Sequence, residues 1–131
     1  MGQEISSITG LPQERQREAK KALVGLARAI VAGTLNPVVG CRKIVRLRTQ
    51  VFPQDLPAFD TVRAVESETD DYPVGDIRDR YDSGLLARLD ESVGAYLRTV
   101  RPALLQACEE IIHQFDEERR ESNSESGSST D

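Results

Sequence analysis

Tryptophan is absent from this chain, and only three Phe and three Tyr occur among its 131 residues. Leu, Ile, Val and Ala must therefore build the core, a choice that suits packed helices better than a β-sandwich with its aromatic and β-branched cross-strand pairs. Histidine occurs once, at His113. A single imidazole without a second His or a paired Cys leaves a zinc site short of its usual ligands. Any Ser-His-Asp or Cys-His arrangement would have to use that same residue, which lies on the flank of an apolar stripe beside Phe115 and reads as a surface or boundary histidine. A Gly-rich phosphate loop and a P-loop lysine are also missing. No residue is assigned a catalytic, cofactor-binding or metal-binding role, and the expectation is a protein that is not an enzyme.

No apolar run approaches the roughly 18 residues of a membrane span. The start, Met1-Gly2-Gln3-Glu4-Ile5-Ser6, lacks the basic opening and apolar block of a signal peptide. It matches the short Met-Gly-x-x-x-Ser myristoylation pattern, but no polybasic cluster stands beside it. Cys41 and Cys108 both fall on apolar helical stripes, where a free thiol behaves as a small hydrophobe. Two such thiols without a secretion signal read as reduced, and the chain as cytoplasmic with no membrane partner.

Acidic residues are scarce in the first part and crowded in the rest. Before Asp55 there are nine Lys or Arg and three Glu, a formal +6; from Asp55 onward eight Arg face nineteen Asp or Glu, a formal −11. The halves should attract each other on folding, and the second should show an acidic surface to a partner. A net charge of −5 argues against nucleic acid, whose phosphates call for a basic face.

The length fits one domain. Residues 1–10 and 120–131 read as tails around a helical domain at 11–119; the last twelve hold no apolar residue and cannot offset their ordering entropy. Ala19, Ala22, Leu23, Leu26, Ala27, Ile30 and Val31 recur at helical spacing, with Pro12 to open the helix and Gly33 to end it. Asn36-Pro37 signals the N-cap of a second helix with Val38, Cys41, Ile44, Val45 and Val51 inward and Arg42, Lys43, Arg46 and Arg48 outward. The short link predicts an antiparallel hairpin. Pro53 closes that unit, and Asp55 is expected to cap a third helix carrying Leu56, Phe59, Val62 and Val65. A turn at 76–81 precedes a long helix, capped by Asp82 or Ser83, whose stripe of Leu86, Leu89, Val93, Leu97, Val100, Leu104, Cys108, Ile111 and Phe115 runs unbroken through Pro102. The fold expected is an all-α single-domain bundle of four to five helices, the N-terminal hairpin packed on a long C-terminal helix.

The run from Val65 to Gly75 concentrates acids, hydroxyls, a proline and a glycine. We expect an ordered loop over 67–75, held by side-chain to backbone hydrogen bonds and by at least one Arg of the basic half. Ser67, Thr69 and Asp70 are suited to cap helix ends or close turns. If Asp70 closes the turn, Asp70→Ala should cost on the order of 1 kcal/mol. A carboxylate here would pair with Arg42, Arg46 or Arg78. Glu66, Glu68, Asp70, Asp71, Asp76 and Asp79, with Tyr72 and Tyr81 as aromatic anchors, form the candidate protein-binding surface. The alternative gathers these carboxylates, aided by Glu109, Glu110 and Asp116 to Glu118, around Mg²⁺ in a phosphohydrolase or nucleotide pyrophosphatase. The helical Glu-Glu-x-x-Glu pattern of such enzymes is not met, because position 113 is His.

The run Glu66-Ser67-Glu68-Thr69-Asp70-x-x-Pro73-x-Gly75-x-x-Arg78, with Gly40-x-Arg42-Lys43-Ile44-x-x-Leu47-Arg48 upstream and Leu86-Ala87, Asp90 and Ala107-Cys108-x-x-Ile111-Ile112-x-x-Phe115 downstream, resembles a family of small, mostly uncharacterised bacterial proteins. The likeness covers roughly residues 25–115. It implies an all-α fold and a bacterial origin, with Tyr81 standing where members often carry Trp. By analogy, small acidic bacterial proteins of this sort serve as immunity proteins. The expected partner is thus another protein, a basic toxin domain in its most concrete form.

Overall fold

Four α-helices form from these patterns, α1 (Gln13–Ala32), α2 (Pro37–Leu47), α3 (Pro57–Glu68) and α4 (Ser83–Phe115). Short 3-10 turns at Arg48–Gln50 and Gly75–Arg80 complete the secondary structure, and no strand occurs among the described residues. The computed structural model describes residues 13–116. The expected tails and the Pro12 helix start lie outside the described residues.

Glycine ends α1 as its position suggested. Gly33 takes a left-handed φ of 79°, its N–H donates to the Ile30 carbonyl, and the Thr34 N–H reaches back to that of Ala29. This double closure satisfies two carbonyls that a helix end leaves open. Asn36 then caps α2, its side-chain oxygen accepting from the Val38 N–H at 2.8 Å with Pro37 in the first turn. The chain has reversed: Gly40 lies on Ile30, while Lys43 and Leu47 lie beside Ala22 and Leu26. This is the antiparallel hairpin.

Asp55 does not cap α3. The cap position falls on Leu56, which has no side-chain bond to offer, and Pro57 occupies the first turn. The residue before a proline is pushed into extended backbone, so Pro57 fixes where the helix begins. At the head of α4 the cap is Asp82, whose carboxylate accepts from the Leu85 N–H at 3.1 Å, and Ser83 is already helical. α4 runs unbroken through Pro102, which sits on its exposed side. Water can there serve the carbonyl that the proline ring leaves without a donor.

One core joins all four helices. Leu23, Ala27 and Ile30 of α1, Cys41 and Ile44 of α2, Val51 just after the first 3-10 turn, Phe59, Val62 and Val65 of α3, and Cys108, Ile111 and Phe115 of α4 are buried in it. The Phe59 and Phe115 rings stack with centroids 5.9 Å apart. Asp116, just past α4, is buried and bonds to Arg28 of α1. The apolar stripe of α4 is only half used: from Leu104 on it is buried, whereas Leu86, Leu89, Val93, Leu97 and Val100 are half-buried. Helical phase was right along the whole stripe, but the core ends before the helix does.

Two glycines on the hairpin should answer differently to added bulk. A Cβ at Gly25 meets nothing within 4 Å, while at Gly40 it would fall 2.6 Å from the Ile30 Cδ1. Gly25→Ala is expected to raise stability by about 0.5–1 kcal/mol through helix propensity. Gly40→Val should lower it by about 1–3 kcal/mol through overpacking. Chemical denaturation of the two variants checks the opposite signs.

Candidate functional site

The acidic run leaves α3 through a tight set of backbone contacts. Thr69, 1% exposed, turns its hydroxyl back to donate to the Val65 carbonyl at 2.7 Å, and its N–H donates to the same oxygen. The Tyr72 N–H then closes a turn on the Thr69 carbonyl at 3.1 Å. Across from α2, the Arg42 guanidinium donates to the carbonyls of Thr69 at 2.6 Å and Tyr72 at 2.8 Å, with Asp70 at 3.4 Å. Arg42 is therefore half-buried and structural rather than directed to solvent. A cation at this place also opposes the partial negative charge at the end of α3.

A second tie fastens the far side of the loop to α4. The Tyr72 hydroxyl donates to Asp90 at 2.5 Å. Arg78 donates to the other Asp90 oxygen at 2.8 Å, to the Tyr72 oxygen at 3.2 Å and to the Pro73 carbonyl at 3.1 Å. Its guanidinium also lies 5.6 Å from the Tyr72 ring centre, within cation–π range. Pro73 is buried beneath this knot, and Gly75 turns the chain into the 3-10 segment with a φ of 74°. The expected ordered loop, with an Arg of the basic half holding it, has this construction.

Pairing of the loop's own carboxylates does not occur. Arg42 uses carbonyls and Arg78 uses Asp90, so no described cation forms a salt bridge with Glu66, Glu68, Asp70, Asp71, Asp76 or Asp79. All six point away from the ties: Glu66 is half-buried on the last turn of α3 and the other five are exposed. Among the described residues no three His, Cys, Asp or Glu side chains come together as a metal-binding group would. Asp70 makes no side-chain hydrogen bond; Thr69 does the closing expected of it. Tyr72 and Tyr81 are both half-buried, and the Tyr72 hydroxyl is committed to Asp90.

Sequence reasoning missed two groups here. Ile77 and Leu85, 49% and 38% exposed, stand within and just beyond the acidic turn, the former between Asp76 and Asp79. Ile77 is flanked by charges with no helical rhythm to flag it, and Leu85 was passed over for its neighbour Leu86. Asp90 was read only as part of the resembling motif, with no partner, because its partners lie in another element.

Burial pushes the Cys41 thiol up to about 12 and the Cys108 thiol up to about 11, and both are free. They are core thiols rather than nucleophiles. His113 is exposed near the end of α4. No described helix is long and apolar enough to cross a membrane. Neither a protein-family model, nor a curated protein, nor a solved structure matches this chain.

The loop's anchorage shifts the expected cost from Asp70 to Arg42. Arg42→Ala should cost about 1.5–3 kcal/mol, the range for hydrogen bonds from a charged donor. Asp70→Ala should stay within about 0.5 kcal/mol, as for a surface change. Urea titrations of both variants check the order.

The second tie carries a pH signature. Hydrogen bonds from Arg78 and then Tyr72 hold the Asp90 carboxyl below its ordinary value. Its contribution is complete above about pH 3.9 and is lost as pH falls through the lowered native value. Desolvation, followed by the bond to Asp90, raises the Tyr72 phenol. That contribution is complete below about pH 10 and is lost as pH rises through the raised value. Amide protection over residues 72–80, relative to intrinsic exchange, should fall outside this window, and Asp90→Asn should remove the acid limb and weaken the alkaline one.

Proposed function

We propose that this protein works by binding another protein, through a surface made of the acidic segment 66–79 and the exposed side chains of Ile77 and Leu85. The observation that carries this reading is a set of unpaired carboxylates on a loop fixed by six Arg42 and Arg78 hydrogen bonds. Pre-ordered charge without an internal partner costs little to present and steers a basic partner in. Exposed aliphatic groups among the acids supply the desolvated contacts that charge alone does not. An immunity protein that blocks a basic, co-encoded toxin domain is the concrete form of this proposal. The resemblance to small bacterial all-α proteins, whose most specific part is the Ser67 to Gly75 run, supports that role only by analogy.

Pull-down from the native host at low salt should retain a basic protein, encoded in the adjoining gene if it is the toxin. Glu68→Lys, Asp71→Lys and Asp76→Lys together should weaken that complex at least about tenfold without lowering the melting temperature. Ile77→Ala should weaken it by about 1–2 kcal/mol if Ile77 is buried on binding. A host that yields no partner at low salt, or a complex indifferent to the charge reversal, would show that the acidic face serves solubility alone.

A further inference from the structure

Leu97, Arg98, Arg101, Leu104 and Leu105 stand three and four residues apart and so share one side of α4. With Ile30 of α1 they wall a cleft of about 220 Å³ that is aliphatic apart from the two guanidiniums. Arg98 and Arg101 are exposed, and neither guanidinium forms a salt bridge or hydrogen bond among the described residues. They are neighbours on the helix, where like charges repel. No acid stands three or four residues from either: those positions hold Gly94, Ala95, Leu97, Pro102, Leu104 and Leu105. Asp90, one turn before Gly94, is held by Arg78 and Tyr72. The stretch from 29 to 40, which closes the cleft through Ile30 and Pro37, has no charged residue at all. Pro37 also brings the positive pole of α2 to the cleft. An apolar hollow thus has a cationic mouth with nothing beside it to answer the charge.

We propose that this cleft binds a small aliphatic carboxylate, with the hydrocarbon tail against Ile30, Leu97, Leu104 and Leu105 and the carboxylate held by Arg98 and Arg101. A planar carboxylate matches the paired donors of a guanidinium, and charge-assisted bonds of this kind are the strong ones. A Cβ at Gly94 would lie 3.6 Å from the Arg98 Nη1, so the guanidinium lies back along the helix at the edge of the cleft. The volume is below the roughly 300–1,000 Å³ of pockets for drug-sized ligands, which limits the tail to a short chain. Pockets of this sort take their affinity from apolar walls and their selectivity from a few placed polar groups. Tail and charge are therefore both required. The site stands independently of the partner-binding reading, which uses the loop rather than this cleft.

Titration of octanoate into the full chain, followed by methyl NMR, tests the proposal. Octanoate should bind once per chain with a Kd on the order of 0.1–1 mM. Its methylene protons should show contacts to the Leu97 and Leu105 methyl groups. Acetate, which lacks the tail, and octylammonium, which carries the opposite charge, should each bind at least about tenfold more weakly. Arg98→Ala with Arg101→Ala should weaken octanoate at least about tenfold without lowering the melting temperature. Reversal to Glu at both positions should turn the preference over, octylammonium then binding better than octanoate. No saturation by about 10 mM octanoate, contacts to other methyl groups, equal binding of either control ligand, full affinity in the double Ala variant, or an unchanged preference in the double Glu variant would each overturn it.

Discussion

Arg42 is the side chain through which the acidic region is joined to the bundle. Rooted between buried Cys41 and exposed Lys43 on α2, it spends its donors on carbonyls just past the end of α3. Two helices and a loop are fixed by that one fork of N–H groups. All three contacts are made by its Nη2 nitrogen. With these carbonyls occupied, the carboxylates of Asp70 and its neighbours Glu68 and Asp71 are left exposed. Order in the backbone and freedom of the charges have one cause.

The opposite charges of the two chain halves meet less than their totals suggest. Among the described residues Arg28 with Asp116 is the salt bridge between them, and Arg42 approaches the acidic half through neutral oxygens. Arg78 with Asp90 lies wholly within the second half. Exposed charges on the described residues would contribute little to stability even where isolated pairs formed. Stability comes mainly from the aliphatic core, and the charge remains available for long-range attraction.

Local signals carried most of the fold. Gly33 and the Asn36-Pro37 pair act within a few residues of themselves, so their roles could be read from sequence and recur in the structure. Asp55 looked like a cap until Pro57, two residues on, set the helix start. That too is local, and it was a competition between two signals. The site was legible only as a place. That the run would be ordered followed from its hydroxyls and proline, but Arg42's use of carbonyls and the distant Asp90 depend on how α2, α3 and α4 are brought together. Ile77 carried no periodicity at all.

Periodicity also has a limit that α4 makes plain. A repeat of three and four states which side of a helix is apolar, not whether anything covers it. Leu86 and Cys108 occupy the same stripe, yet one is half-buried and the other fully so. The difference is set by length: α3, about 18 Å long, and α1, about 30 Å, cannot line a helix of about 50 Å. The loop fastened by Arg78 and Tyr72 reaches α4 at Asp90 and shelters part of the remainder. An apolar stripe sustained beyond the reach of its own bundle adds little to the stability of the single chain, and it exposes leucine to water. Its half-buried leucines therefore mark where the bundle's own cover runs out.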